Sequence, residues 1–349
     1  MAFKRMFQAV DTHGGVPMRV VTGGVPNIPG KNVFEKMKWL EENDDQLRQL
    51  LLREPRGYPP QCLNLIVPPA DPSAAAGYII MEQTEYCLMS GWNTIAVATA
   101  LLETGMLDIT GPETSFKLEA PGGLIEVTAH CEGRKVKAVT FKNMPCFVGH
   151  QGAELDIPQV GKVIVDTVWA GAWFVLADVS NFPGLAIQPS RGKELTRISA
   201  LMCRAAEDKL SLSHPEFGHI PITLAMICAG EADKNIPFQS CVTMLTGEVD
   251  YANPTTWGGA IDRSPCGTGT CARMTSLWAR GRLALGDKFS HNSIIGLEGQ
   301  GRILSQTRIG DYQAVIPEVT GRAWITGLNT FVLDETDPFP EGFKVGDIW

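Results

Sequence analysis

Apolar and polar residues alternate along positions 7–25, interrupted by Gly14-Gly15 and again by Gly23-Gly24. A period of two marks strands with one face buried, and paired glycines supply turns, so two strands with tight turns are expected here. The period then lengthens. Over 32–52, Phe34, Met37, Leu40, Leu47 and Leu51 recur at helical spacing among charges and stop before Glu54-Pro55-Arg56-Gly57, which predicts one helix. Residues 77–80 read as a short strand. Ser90-Gly91-Trp92-Asn93-Thr94 then opens a dense apolar run over 95–102, closed by Glu103-Thr104-Gly105. Turn, buried helix and glycine stop are expected in that order.

Strand patterns recur at 124–128, 136–141, 163–165 and 172–176, with turn residues between them. An amphipathic helix is expected over 193–209, followed by strands near 222–228 and 241–245. The earlier pattern then returns. Asp262-Arg263-Ser264-Pro265-Cys266-Gly267-Thr268-Gly269-Thr270 leads into a helix with apolar residues over 271–283, with Gly286 as its expected stop. Both segments have the form Ser/Cys-Gly-x-x-Thr plus helix, an internal echo of the kind two related domains leave.

Composition narrows the class. The 349 residues exceed one typical domain of roughly 100–200, so two domains sharing a cleft are expected. With 44% hydrophobic and 19% charged residues the chain is globular rather than disordered. A net charge of -8 without a Lys/Arg cluster excludes a nucleic-acid partner from the expectation. No stretch reaches the ~18 apolar residues of a membrane span, so no membrane partner and a cytoplasmic location are expected. The cysteines number nine, an odd count with no Cys-x-x-Cys pair, which argues against a disulfide framework or zinc site. Most read as small buried hydrophobes; Cys266 alone stands in a different context.

That context is a helix start. A side chain there sits beside unpaired backbone N–H groups and the positive end of the helix dipole, which favour anions. Two such starts facing each other would hold a substrate carboxylate on backbone donors and present Ser90 and Cys266 to the adjacent carbon, with Gly91 and Gly267 allowing close approach. The same environment favours a thiolate, which makes Cys266 a candidate base, and Asp262 is placed to accept a hydrogen bond from a substrate ammonium. Backbone dipoles that stabilise the charge on a deprotonated α-carbon remove the need for an electron sink. No pyridoxal lysine motif or dinucleotide fingerprint is visible, so no cofactor is expected. Gly-x-Ser-x-Gly, the hydrolase signature, is absent around Ser90. Ordinary helix capping remains the competing reading for Ser90 and Cys266 alike. His13 reads as either cleft-lining or structural, Trp92 as either a pocket cap or core packing, and Cys271 as buried and inert.

Asp11-Thr12-His13-Gly14-Gly15 with Arg19-Val20-Val21, the Asp262–Gly269 loop, Val315-Ile316-Pro317-Glu318-Val319-Thr320-Gly321 and Ile325-Thr326-Gly327 together resemble the proline racemase family across nearly the whole chain. The resemblance implies an α/β (α+β) fold of the diaminopimelate epimerase type. It consists of two similar domains, each a curved mixed sheet wrapped around a central helix, with the active site in the cleft between them. The implied domains are 1–140 plus 325–349, carrying Ser90, and 141–324, carrying Cys266. The family is cofactor-free and commonly homodimeric and acts on small imino acids. Position by position, Cys266 matches the second catalytic cysteine, Gly267 and Thr268 the backbone donors to the carboxylate, and Asp262 the residue that meets the substrate nitrogen. The first catalytic motif, usually Met-Cys-Gly-His, here reads Met89-Ser90-Gly91-Trp92, and Val16 stands where an acid is common.

A hydroxyl is a weaker acid than a thiol, so the Ser90/Cys266 pair is unevenly matched for two-base inversion. Dehydration of a 3-hydroxyproline needs only one α-proton to leave together with the neighbouring hydroxide. The expectation is therefore a trans-3-hydroxy-L-proline dehydratase giving Δ1-pyrroline-2-carboxylate, with 4-hydroxyproline 2-epimerase or proline racemase as the alternative. Which of Ser90 and Cys266 takes the proton stays open.

Overall fold

A computed structural model describes residues 3–230 and 238–348. The expected domain limits at Met1 and Trp349 lie outside the described residues. The chain divides into two compact units, residues 1–141 with 320–349, and residues 142–319.

In the first unit, β1 (Phe3–Gly14) and β2 (Val16–Gly23) pair antiparallel about Gly15, whose φ of 97° suits glycine. Where one helix was expected over 32–52 there are two, α1 (Val33–Asn43) and α2 (Gln46–Leu52). Asp44 leaves the helical region at φ -143°, and the Asp45 carboxylate accepts hydrogen bonds from Arg48, Gln49 and Tyr86. Aspartates engaged this way favour a helix boundary over a helix interior. β3 (Cys62–Val67) runs parallel to β2, and β4 (Ala76–Met81) antiparallel to β3. The short β5 (Tyr86–Cys87) returns beside β4 and leads to α3 (Gly91–Glu103). β6 (Glu113–Ala120) runs parallel to β4 and antiparallel to β7 (Gly123–Glu132), and β8 (Lys135–Lys142) follows. Every residue of α3 from Gly91 to Leu102 is buried, and the helix packs on β1, β2, β3 and β7. A helix apolar on all sides belongs in the interior of a fold.

The second unit repeats this plan. β9 (Cys146–Ile157), β10 (Gly161–Trp169) and β11 (Trp173–Asp178) are antiparallel neighbours, followed by α4 (Gly192–Lys209). β12 (Leu224–Ala229) joins β11 in parallel, and β13 (Gln239–Leu245) and β14 (Gly259–Asp262) continue antiparallel. Then comes α5 (Gly267–Ala279), buried from Gly267 to Leu277 and packed on β9, β10, β11 and β16 (Glu298–Ile309), which pairs with β15 (Phe289–Asn292). α5 starts and ends about one turn earlier than the apolar run predicted. Its stop is Gly281, at φ 68°, because the glycine pair of the 267–270 segment already adopts helix, while Gly286 belongs to the following turn. β17 (Tyr312–Gly321) pairs with β9, and β18 (Trp324–Asp334) pairs antiparallel with β1 in the first unit. The expected mixed sheet around a central buried helix is present in each unit.

Candidate active site

In the first unit Ser90 precedes α3 in extended conformation, φ -144° and ψ 120°, and its side chain does not cap the helix. Met89, Gly91 and Trp92 on either side are buried, whereas Ser90 is partly exposed. The hydroxyl oxygen accepts a hydrogen bond from Asn93 Nδ2 at 2.9 Å, and Asn93 Oδ1 accepts one from Asn64 Nδ2 on β3 at 2.6 Å. The Ser90 carbonyl is also fixed, accepting from Thr94 Oγ1 at 2.8 Å. Ser90 therefore heads a buried polar chain, and the first N–H groups of α3 are left to other acceptors.

Trp92 is only 3% exposed. A Cβ placed on Gly14 would lie 2.2 Å from its Nε1, and one on Gly321 would lie 2.6 Å from its outer ring carbons. The indole thus fills space that two glycines leave open, in the core of the unit. His13 is exposed and stacks on Trp324 with ring centroids 5.2 Å apart.

In the second unit the loop from Asp262 to Thr268 is held from within. The Asp262 carboxylate accepts from Ser264 N at 2.7 Å, and Ser264 Oγ accepts from Cys266 N at 3.0 Å. Cys266 adopts φ 59°, a left-handed conformation uncommon for a residue with a Cβ. The turn aims Sγ back over its own helix, where it accepts from Gly269 N at 3.3 Å, with Thr268 Oγ1 at 3.9 Å. Gly269 is required for this: a Cβ there would lie 2.9 Å from Sγ.

The strained turn has a buried anchor. Thr270 donates its hydroxyl to Pro265 O at 3.2 Å and its N–H to Cys266 O at 2.7 Å. The Thr270 oxygen lies 3.0 Å from His291 Nδ1, and His291 Nε2 lies 2.6 Å from Ser240 Oγ. Since the Thr270 proton is committed to Pro265, we assign the imidazole proton to Nδ1, leaving Nε2 to accept from Ser240. Burial, reinforced by Arg273, lowers the His291 pKa to about 3, so the ring is neutral. Burial raises the Asp262 pKa to about 6 against the opposing hydrogen bonds from Ser264 and Cys266. At neutral pH it is still mostly a carboxylate.

Of the residues singled out from the sequence, Asp262, Cys266, Gly267 and Thr268 are gathered in one loop and helix start of the second unit, and Ser90, Gly91 and Trp92 at one helix start of the first. Asn93, Asn64, Ser264, Gly269, Thr270 and His291 were not singled out as site residues. Asn93 lies one turn beyond Ser90 and was within reach of sequence reasoning, but Asn64, Ser240 and His291 are brought in by the sheets.

All nine cysteines are free, and all except Cys131 are buried. Cys271 touches Cys146, whose thiol is pushed far up by burial first and Cys271 second. Among the described residues, Glu82, Glu85 and Cys87 have ligand atoms within 4.8 Å of one another and are the group able to hold a metal ion. The Cys87 thiol is held well above its ordinary pKa by burial, then by those carboxylates. No helix among the described residues is long and apolar enough to cross a membrane.

The fold is that of the diaminopimelate epimerase class, and residues 9–344 match the family model described as proline racemase. The chain belongs to the proline racemase family. It is 38% identical over 346 residues to the proline racemase of Clostridioides difficile, covering 98% of this chain and 99% of that one. It is 35% identical over 348 residues to the proline racemase of Acetoanaerobium sticklandii, covering 99% and 100%. The solved structure of a hydroxyproline epimerase from Agrobacterium vitis, with bound trans-4-hydroxy-L-proline, superposes with a TM-score of 0.90 at 34% identity, covering 100% of this chain and 98% of that one.

Proposed function

We propose that this chain inverts the α-carbon of a hydroxyproline without a cofactor, with Ser90 and Cys266 as its two proton carriers. The observation that carries the reading is the duplicated helix start: a buried helix in each unit, headed by a proton-bearing side chain and followed by glycine. One carrier removes the α-proton, and the other returns a proton to the opposite face. The N–H groups at Gly91, Gly267 and Thr268 take the substrate carboxylate and the charge that spreads into it as the α-proton leaves. Asp262 receives the ring ammonium. Trp92 fills the core beside Gly14 and Gly321. The relatives named racemase and epimerase support this chemistry.

A second reading is favoured by the inequality of the pair. A hydroxyl opposite a thiol suits the one-base dehydration of trans-3-hydroxy-L-proline, in which the α-proton and the 3-hydroxyl leave as water and Δ1-pyrroline-2-carboxylate forms. Purified protein is incubated separately with trans-4-hydroxy-L-proline and trans-3-hydroxy-L-proline. Accumulation of cis-4-hydroxy-D-proline supports the first reading. Cyclic imine from the 3-hydroxy compound, without inversion of the 4-hydroxy compound, replaces it with the second. Turnover of neither, with retained binding of pyrrole-2-carboxylate, would leave an imino-acid binding protein. The homodimer implied by the resemblance and the cytoplasmic location expected from the lack of a long apolar stretch belong to the same proposal, and size-exclusion chromatography checks the first of them.

A further inference from the structure

The weak point of the proposed reaction is the hydroxyl of Ser90, and the buried amides beside it bear on that point. Asn64 is fully buried and Asn93 is 2% exposed, and their hydrogen bonds run in one direction, Asn64 Nδ2 to Asn93 Oδ1 and Asn93 Nδ2 to Ser90 Oγ. In this arrangement Asn64 Oδ1 is the buried atom left without a partner. Turning both amides over would make Ser90 the donor to Asn93 and would strand the Asn64 NH₂ group instead. A stranded buried N–H is rarer and less tolerated than an under-satisfied carbonyl oxygen. The direction toward Ser90 is therefore the favoured one.

Two consequences follow for the hydroxyl. Its own proton is not spent on Asn93 and is free to be delivered, and the oxygen left behind keeps an N–H donor aimed at it. Hydrogen bonds to the charged form of an acid lower its pKa. The Thr94 hydroxyl on the Ser90 carbonyl, itself 2.6 Å from Tyr78 Oη, fixes the backbone under this contact. The partial exposure of Ser90 against the complete burial of its supports is what a relay head needs. We propose that Asn93, oriented by Asn64, is the positioning residue that allows a serine hydroxyl to serve as a proton carrier. The inference rests on the reading of Ser90 and Cys266 as the proton carriers.

The test replaces both amides by apolar groups of similar volume, Asn64→Leu with Asn93→Leu, because removing both partners of a buried hydrogen bond leaves no stranded group and preserves the fold best. Epimerisation kinetics, pyrrole-2-carboxylate binding and thermal melting are measured on the wild type and the double variant. The same two substitutions are then placed in a Ser90→Cys background. The expected result is a fall in kcat of about 100-fold in the serine enzyme, with KM and pyrrole-2-carboxylate Kd held within about threefold. In the Ser90→Cys background the fall should shrink below about fivefold, because a thiol, with an ordinary pKa of about 8.5, needs no amide to become an anion. Unchanged kcat in the serine enzyme overturns the inference. So does an equal loss in both backgrounds, which is the mark of a merely structural role. If the Ser90→Cys enzyme is inactive, the serine series alone decides: a selective fall in kcat with ligand binding retained upholds the inference, and a parallel loss of binding overturns it. A wild type that inverts and dehydrates nothing would instead remove the reading of the pair, and this inference with it.

Discussion

The two helix starts solve one problem in different ways. At Cys266 the backbone is strained, φ 59°, and the side chain folds back onto the N–H of Gly269 in its own helix. At Ser90 the backbone is relaxed, φ -144°, and the side chain caps nothing, taking its donor from the Asn93 amide instead. The thiol leans on main-chain dipoles and the hydroxyl on side chains that the sheet must bury. A thiol, the stronger acid of the two, needs little more than a helix start, whereas a hydroxyl needs a dedicated donor at its oxygen. The supports differ accordingly, with a neutral imidazole anchoring the turn in the second unit and a pair of amides feeding the oxygen in the first.

The largest effect that probes this contrast is the removal of each carrier in turn. If both serve in inversion, Cys266→Ala and Ser90→Ala should each lower kcat by on the order of 10²–10⁴ while pyrrole-2-carboxylate still binds. A loss confined to one of the two, with the other variant within tenfold of the wild type, breaks the symmetry and favours dehydration by a single base.

Next in size is Asp262→Asn. Its carboxyl titrates near pH 6 in the folded protein, so kcat/KM should fall as pH drops through about 6, where protonation removes the charge that meets the ring ammonium. The variant should lose that acid limb and bind substrate about 10–100-fold more weakly at pH 8, the worth of one charge-assisted hydrogen bond. Stability carries the opposite sign. Burial raises the folded pKa above the ordinary 3.8, so the native state holds its proton longer and stability falls as pH rises from about 4 to about 6. Across that window the stability of the wild type relative to Asp262→Asn should fall as pH rises, read from paired thermal melts; a difference that does not change with pH would place the pH 6 group elsewhere.

His291→Ala should follow. It strands the buried Ser240 hydroxyl at a cost of roughly 1–3 kcal/mol and removes the N–H that the Thr270 oxygen accepts, while the Thr270 hydroxyl keeps Pro265 O. Turnover should fall with it, since the Pro265-Cys266 turn loses its anchor, and a substituted protein with wild-type kcat would show that the strained turn holds itself.

Much of this was legible beforehand, and the reasons it was or was not are physical. The first central helix announced itself because a helix buried on every side is mostly apolar, as 95–102 is apart from Thr99. By contrast, α5 also buries Thr268, Thr270, Arg273, Thr275 and Ser276 and was marked by its glycine-rich start and the apolar residues after it. β6 and β9 were passed over. In β6 the charged Glu119 is buried, accepting N–H groups from Val33, Ala70 and Asp71, so a residue that reads as exposed holds the interior side of a strand. β9 is nearly all polar or small between Val148 and Leu155. Ser90 and Cys266 were visible from helix-start chemistry, and Asp262 from its place in the loop. Their supports were not, because Asn64 and His291 reach the site only once the sheets have formed, and no spacing along the chain records a pairing made in three dimensions. The match of Trp92 to Gly14 and Gly321 is of the same kind: an indole and two missing side chains far apart in sequence become one packing unit.

That packing unit gives the smallest and most selective prediction, a paired Gly→Ala experiment in the two units. Gly321→Ala drives a methyl to 2.6 Å from the Trp92 ring, and Gly269→Ala drives one to 2.9 Å from Cys266 Sγ and 2.6 Å from Met226 Cε. Both should destabilise by about 1–3 kcal/mol through overpacking. Their effects on turnover should diverge, because the first displaces a ring that fills the core beside Gly14 and Gly321, whereas the second displaces the reacting atom and the glycine N–H that holds it. Gly111→Ala, at an open position whose nearest neighbour is 4.0 Å away, serves as the control. At a temperature where all three variants are folded, Gly321→Ala should keep kcat within about threefold of the control and Gly269→Ala should lose on the order of tenfold or more, the scale of one hydrogen bond to a charged group. Equal losses would mean that the Ser90 turn is as sensitive to its packing as Cys266 is to its cap, and the division between side-chain support and main-chain support would fail.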